Sequence, residues 1–168
     1  MNESDFIQWI ADQPPFDDER VLCGPGDDMA IVRNDRDQLL IACDPVLDGV
    51  HFDLGRDGPE AAGRKAIARN LYDIAAMAAL PVGCVAAVTF PKGFAESDAQ
   101  AIYRGLRSCS DEFGCPLVGG DVSSWDGPLS IHATVFACPA GATPMLRTSM
   151  LPAPFMIQST ARNARAIW

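Results

Sequence analysis

The chain has 168 residues, 48% of them hydrophobic, which is typical of one domain with a real core. Its formal charge of -9 disfavours binding to a nucleic-acid backbone, because no basic stripe can displace counterions. The acidic N-terminus lacks the basic start and apolar run of a secretory signal, and the uncharged stretch 74–91 is interrupted by Pro81 and Gly83, which disfavours a membrane span. We therefore expect a cytoplasmic protein.

The first motif along the chain, GDDMA at residues 26–30, places Asp27 and Asp28 side by side after a glycine. A solvated surface turn explains it, because Gly, Pro and Asp are common turn residues and water and salt screen the repulsion. A bound cation is the alternative, and it requires more carboxylates from elsewhere in the chain. A short strand, MAIV, is predicted to follow.

Four later runs of apolar residues predict strands: DQLLIACD (37–44), VGCVAAVTF (82–90), PLVGGD (116–121) and LSIHATVFA (129–137). In the last of them apolar and polar residues alternate, which predicts one buried face. His132 then lies on the polar face, and we interpret it as a surface histidine.

Two helices are predicted between these strands. The first begins near Pro59, a favourable first-turn residue, and runs to about Leu80. The second begins with a capping box formed by Ser97 and Gln100 and ends at Gly114. This alternation of strands and helices predicts an α/β fold in which the helices pack on one face of the sheet.

The six cysteines form no CxxC pair and have no zinc-like spacing to a histidine. We expect all of them to be reduced and to act as small buried hydrophobic residues. They are Cys23, Cys43, Cys84, Cys109, Cys115 and Cys138.

Carboxylates recur where apolar runs meet turns. Asp28 lies in the glycine turn, and Asp44 and Asp121 are predicted to end strands, where α/β proteins commonly place functional groups. Asp73 lies instead inside the first long helix, on a strip beside the apolar stripe. An ion pair with Arg69, four residues earlier, explains Asp73 equally well.

Considered together, the four aspartates favour one shared cation site over four independent turns and ion pairs. Hard oxygen ligands without matching His or Cys residues point to Mg2+, which completes its shell with phosphates and water. The glycines before Asp121 allow close approach of a phosphate, although two glycines after a strand are also typical of a simple turn. No P-loop or kinase-type glycine loop is present in the sequence.

In chain order, the segments GPGDDMA, CDPVLDGVHF, GRKAIARNLYDIAAMAALP and LVGGDVSSWDGPLSI resemble the N-terminal half of the thiamine-monophosphate kinases, a family of the aminoimidazole ribonucleotide synthetase superfamily. The resemblance covers about residues 20–149. It implies the N-terminal α/β domain of that superfamily, with a mixed sheet that forms a homodimer. The implied reaction transfers a phosphoryl group from ATP to thiamine monophosphate and yields thiamine diphosphate.

The resemblance also implies site residues. The implied Mg2+ ligands are Asp28, Asp44, Asp73 and Asp121. The implied ATP contacts are Gly120, Asp121 and Arg147, and His51 is implied to contact thiamine monophosphate. The chain departs from the usual family pattern at Ala42 and Cys43, where two hydroxyl residues are expected before the aspartate, at Tyr72 in place of serine, and at Ala79 in place of glycine.

The composition changes sharply near the C-terminus. No acidic residue follows Asp126, so residues 1–126 carry a charge of -12 and the remainder carries +3. Residues 150–168 show neither helical nor strand periodicity, and we predict no packed structure for them. We expect residues 1–149 to form an ATP- and Mg2+-binding dimerisation domain.

The family's C-terminal domain is not recognisable after Ser149, and a frameshift near that residue is one hypothesis for the change. The leading interpretation is a shortened thiamine-monophosphate kinase homologue. Two alternatives stay open at this point: a catalytically inactive module that binds nucleotide or dimerises, and another ATP-dependent member of the same superfamily.

Overall fold

The computed structural model describes residues 3–14, 17–23, 31–34 and 38–141. Its helices are α1 (Glu3–Ala11), α2 (Leu54–Asp57), α3 (Pro59–Ala76) and α4 (Glu96–Glu112). Its strands are β1 (Val21–Cys23), β2 (Ile31–Val32), β3 (Leu40–Leu47), β4 (Ala79–Pro91), β5 (Leu117–Trp125) and β6 (Ser130–Pro139). Among the helices within these ranges, none combines the length and apolar character needed to cross a membrane.

The main sheet has four strands in the order β3-β6-β4-β5. Strand β6 pairs antiparallel with both β3 and β4, whereas β5 runs parallel to β4. Helix α4 connects β4 to β5, as a parallel pair requires a crossover. The predicted α/β class and mixed sheet are therefore confirmed, and β1 and β2 form a separate antiparallel pair.

One face of the main sheet is buried and the other is open. Along β6, Ile131, Ala133 and Val135 are buried under the helices, while His132 between them is exposed on the open face. The alternation of apolar and polar residues in this strand predicted both features correctly, since successive side chains of a strand point to opposite faces. His132 Nε2 lies 2.9 Å from Ser130 Oγ.

Helices α3 and α4 pack closely because each contributes a glycine to their contact. A Cβ atom at Gly63 would lie 2.2 Å from the carbonyl oxygen of Ile102, and one at Gly105 would lie 1.9 Å from that of Glu60. Both distances are far below a normal carbon–oxygen contact, so the backbones approach more closely than any side chain permits.

The predicted helix bounds needed two corrections. Helix α3 ends at Ala76 rather than near Leu80, because residues from Ala79 onward already pair with β6 and the sheet hydrogen bonds take precedence. The predicted capping box is also wrong: the N-cap of α4 is Ala95, which makes no side-chain hydrogen bond. Helix α4 ends as predicted: Phe113 is its C-cap, and Gly114 follows with a φ of 59°.

Helix α1 had no strong signal in the sequence, yet it contributes to the core. Phe6 is 2% exposed and packs edge-on against Phe90, with ring centroids 5.9 Å apart. Trp9 makes a similar contact with Tyr103 of α4 at 5.3 Å. These aromatic contacts hold α1 on the helical side of the sheet.

Cys84, Cys109, Cys115 and Cys138 are free thiols and are buried as expected, whereas Cys23 is only half-buried. Cys84 Sγ donates a hydrogen bond to the Cys115 carbonyl oxygen at 3.4 Å. The expectation is wrong for Cys43, which is exposed, because its position opposite Thr134 in the β3–β6 register turns it to the open face.

Candidate functional site

Asp44 lies in the middle of β3, not at its end as predicted. The strand continues to Leu47 because pairing with β6 continues that far, and Pro45 is tolerated since β3 is an edge strand. Asp44 lies directly opposite Ala133, a buried residue on the helical side. Its carboxylate therefore faces helix α3 rather than the open face of the sheet.

Arg69 of α3 is the ion-pair partner of Asp44. Its Nε lies 3.0 Å from Asp44 Oδ2, and the two side chains are 43% and 32% exposed. The sequence had suggested Asp73 as the partner of Arg69, by helical spacing. Among the described residues Asp73, which is half-buried, makes no ion pair or side-chain hydrogen bond.

A fully buried asparagine lies one turn before Asp73 on α3. Asn70 is 0% exposed, and its Nδ2 donates to the Ala66 carbonyl oxygen at 3.0 Å. Within the described part of the chain, its Oδ1 is buried without a hydrogen-bond partner. Leaving such an acceptor unsatisfied costs about 1–3 kcal/mol, so the site contains an oxygen that a water or a bound group would satisfy.

His51 lies in the turn that follows β3 and is held in one tautomer. The Leu47 backbone N–H donates to His51 Nδ1 at 3.1 Å, which leaves Nε2 as the ring's donor in the neutral form. Lys65 of α3 donates to the His51 carbonyl oxygen. Lys65, Arg69 and Asp73 follow one another at four-residue spacing and so lie on one face of α3.

The pKa of His51 is lowered from its ordinary value of 6.5 by burial and by the positive charges of Arg69 and Lys65, against an opposing effect of Asp44. The ring is therefore neutral at pH 7. Because the unfolded chain binds this proton more tightly than the folded chain, acid favours unfolding. The contribution of His51 to folding is complete above pH 6.5 and declines as the pH falls from there toward the lower folded pKa.

We expect a proton NMR titration to place the pKa of His51 below 6.5 and to show a rise when Arg69 is replaced by glutamine, since one of the two positive charges is removed. The His132→Gln variant assigns the two imidazole signals. A pKa of His51 that does not change in Arg69→Gln would contradict the proposed electrostatic contact.

Gly120 and Asp121 lie inside β5, so the prediction that Asp121 ends its strand is also wrong. Parallel pairing with β4 carries β5 on to Trp125. A Cβ at Gly120 would lie 2.0 Å from the Ala86 carbonyl oxygen, so glycine is required by close strand contact. Asp121 lies opposite Ala87 and is exposed on the open face.

Asp44 and Asp121 consequently lie on opposite faces of the sheet. They belong to its two edge strands, about 14 Å apart at the usual strand spacing. Asp28 and Arg147 fall outside the described residues. Within the described ranges, no three His, Cys, Asp or Glu side chains come together in a metal-binding group.

The α3–β3 part of the predicted donor set nevertheless fits a hard cation. Asp44 and Asp73 supply carboxylates on or beside α3, and Asn70 Oδ1 is a buried acceptor without a donor. Such oxygen donors are those that Mg2+ prefers. Sequence reasoning recognised the two aspartates but missed Lys65, which its spacing from Arg69 and Asp73 could have indicated.

A broad open groove of about 1300 Å³ is lined by residues from both faces of the sheet. Gly120, Asp121 and His132 line it, together with Tyr103 of α4. The described lining does not include Asp44, His51 or Asp73. Gly120 and Asp121 thus line a groove whose described lining excludes His51, the predicted acceptor residue.

Comparison with known proteins identifies similar sequences over most of the domain. Residues 26–138 match the family described as AIR synthase related protein, N-terminal domain. The thiamine-monophosphate kinase of Synechococcus elongatus is 41% identical over 99 residues, covering 58% of this chain and 30% of that protein. That of Rhodopirellula baltica is 38% identical over 124 residues, covering 69% and 39%. The chain thus spans less than half the length of these relatives.

Solved structures of similar proteins share the fold of this chain. The thiamine-monophosphate kinase of Stenotrophomonas maltophilia K279a aligns with a TM-score of 0.65 at 29% identity, over 83% of this chain and 42% of that one. AaThiL complexed with AMPPCP and TMP aligns with a TM-score of 0.56 at 29% identity, over 59% and 31%. Escherichia coli HypE, a hydrogenase maturation protein, shares the fold alone, with a TM-score of 0.65 at 17% identity over 89% and 46%.

Proposed function

The chain belongs to the AIR synthase related protein family by its N-terminal domain, and on that premise we propose that it acts in the ATP- and Mg2+-dependent phosphorylation of thiamine monophosphate to thiamine diphosphate. The observation that carries the proposal is the similarity of the chain to two thiamine-monophosphate kinases, 41% identical over 99 residues and 38% identical over 124 residues. The nucleotide part is supported by a similar structure that contains AMPPCP, an ATP analogue. We place the reaction in the cytoplasm.

The proposed Mg2+ ligands are Asp28, Asp44, Asp73 and Asp121. When bound, Mg2+ would neutralise the phosphate charges that otherwise keep the two substrates apart. Asp44 faces α3, and α3 itself carries Asp73 and Asn70, whose Oδ1 has no hydrogen-bond partner among the described residues, which supports the first part of this assignment. The opposite-face position of Asp121 makes it the ligand that most needs a direct test.

The chain's own residues bind and orient the two substrates. His51 is neutral with Nε2–H as its donor, which suits a hydrogen bond to a phosphate oxygen of thiamine monophosphate. We assign Gly120, Asp121 and Arg147 to ATP, with Arg147 offsetting phosphate charge. Positioning of the substrates contributes most to catalysis in this proposal, because the attacking phosphate of thiamine monophosphate is already an anion and needs little general-base assistance.

We also propose that the chain forms a homodimer through the open face of the sheet. Ile41 of β3 and Trp125 of β5 are 62% and 46% exposed, and an apolar side chain in a sheet is usually covered. Sedimentation equilibrium of the purified chain tests this assignment directly, and a monomer at all concentrations would contradict it.

The experiment that tests the activity mixes the purified 168-residue chain with thiamine monophosphate, ATP and Mg2+ and measures thiamine diphosphate by chromatography. We expect product that depends on all three components. Omitting thiamine monophosphate or Mg2+ provides the background rate. Absence of thiamine diphosphate when all three components are present would contradict the proposal.

A second candidate is a catalytically inactive module that binds nucleotide, and the similarity to a structure that contains AMPPCP favours it. Mg2+-dependent ATP binding with no thiamine diphosphate formed would select this function. Turnover of a different phosphate acceptor from a substrate panel would select another ATP-dependent member of the superfamily instead.

A further inference from the structure

We propose that Arg69 is a built-in competitor for the divalent cation at Asp44. Its guanidinium forms an ion pair with the Asp44 carboxylate when no cation is bound, and this ion pair must break when a cation binds. The inference rests on the proposed function, because it takes Asp44 as a cation ligand. It adds a residue that regulates cation affinity from within the fold.

The contact itself carries the first step. Arg69 Nε lies 3.0 Å from Asp44 Oδ2, the distance of a charge-assisted hydrogen bond. A carboxylate oxygen engaged in this way offers less negative charge to a metal, and a divalent ion beside the guanidinium would be repelled by it. The ion and Arg69 therefore compete for the same group.

The exposure of the pair makes exchange possible. The Arg69 and Asp44 side chains are 43% and 32% exposed, so water screens their attraction and the guanidinium can turn to solvent without losing a buried contact. An exposed ion pair of this kind is weak enough for a divalent cation to replace. A fully buried pair would instead hold Asp44 permanently.

The surroundings explain why an arginine at this position affects the site. Asp73 lies one turn further along α3, and no described residue donates a hydrogen bond to the buried Asn70 Oδ1. Without a cation, Arg69 offsets the charge of Asp44. Lys65, on the same face of α3, donates to the His51 carbonyl oxygen and is therefore engaged elsewhere.

Arg64 provides a matched control on the same helix. Its Nη2 pairs with Glu112 of α4 at 2.6 Å, and the two side chains are 47% and 51% exposed. Replacing Arg64 or Arg69 by glutamine removes one positive charge and one exposed ion pair. Only Arg69→Gln removes the partner of Asp44, so a general effect of net charge appears equally in both variants.

The test measures Mn2+ binding, with Mn2+ as a substitute for Mg2+, from the free-ion signal in electron paramagnetic resonance. We expect Arg69→Gln to bind Mn2+ about two- to fivefold more tightly than the original chain, the range that an exposed ion pair can account for. Arg64→Gln should leave the affinity unchanged. Arg69→Lys, which keeps the charge but not the guanidinium, should lie between the two.

Each outcome decides the proposal. Equal tightening in Arg69→Gln and Arg64→Gln would overturn it as an effect of net charge, and so would an unchanged or weaker affinity in Arg69→Gln. If Asp44→Asn weakens Mn2+ binding while Arg69→Gln does not strengthen it, the competition fails and the proposed cation site stands. If Arg69→Gln does not fold by circular dichroism, Arg69→Lys decides, and an affinity equal to that of the original chain overturns the proposal.

Discussion

Replacing Asp44 by asparagine is expected to weaken Mg2+-dependent binding of an ATP analogue by about tenfold or more, the loss that disturbing a metal site commonly produces. The substitution keeps the size of the side chain but removes the negative charge that faces α3. It also removes the partner of Arg69, whose guanidinium then adds an unbalanced positive charge beside the site. Both effects oppose cation binding.

Isothermal titration calorimetry with AMPPCP measures this loss, with and without Mg2+. Asp126→Asn is the matched control, because Asp126 is likewise an ion-paired surface carboxylate, 2.8 Å from Lys92 Nζ, and follows β5 at the sheet edge opposite β3. Equal affinities for the two variants would remove Asp44 from the cation site. A loss that persists without Mg2+ would point to direct nucleotide contact or to altered folding instead.

Replacing Gly105 by alanine is expected to destabilise the domain by about 3 kcal/mol, the upper range for overpacking a core. Two effects compete. Alanine favours an isolated helix by about 1 kcal/mol relative to glycine, but its Cβ would lie 1.9 Å from the Glu60 carbonyl oxygen on α3. A backbone atom cannot move aside as a side chain can, so the helices must separate and the steric cost prevails.

Urea denaturation followed by circular dichroism measures the free energy of unfolding. Gly55→Ala is the control, because it makes the same substitution in α2, where the new Cβ would meet Asp53 Oδ1 at an ordinary 3.4 Å. We expect its effect to stay within about 0.5 kcal/mol, as for most surface changes. A stability of Gly105→Ala equal to or above that of the original chain would show that α3 and α4 separate at little cost.

Much of the fold could be predicted from the sequence because it depends on local patterns. Alternating residues along β6 predicted its buried face and the exposure of His132, since strand geometry alone sets that alternation. Apolar runs likewise located the four strands of the main sheet. The ordered motifs indicated the family that the comparison of residues 26–138 confirms.

The candidate site was predicted less completely, because its geometry depends on pairing between distant segments. The sequence placed Asp44 and Asp121 at strand ends, whereas pairing with β6 and β4 extends both strands beyond them. The register then turns the two carboxylates to opposite faces. A shift of one residue would reverse either assignment, and no local pattern specifies the register in that detail.

The sequence by itself determined the four strands of the main sheet, the two long helices and the family, and it proposed the residue types of the candidate site. Only the tertiary structure decided that Arg69 pairs with Asp44 rather than with Asp73, and that Asn70 is buried with an unsatisfied oxygen. Helical spacing indicated only Asp73 as a partner, because Asp44 belongs to a strand distant in the sequence. The choice follows from how α3 lies across β3, which is set by packing of the whole core and not by the residues that form the pair.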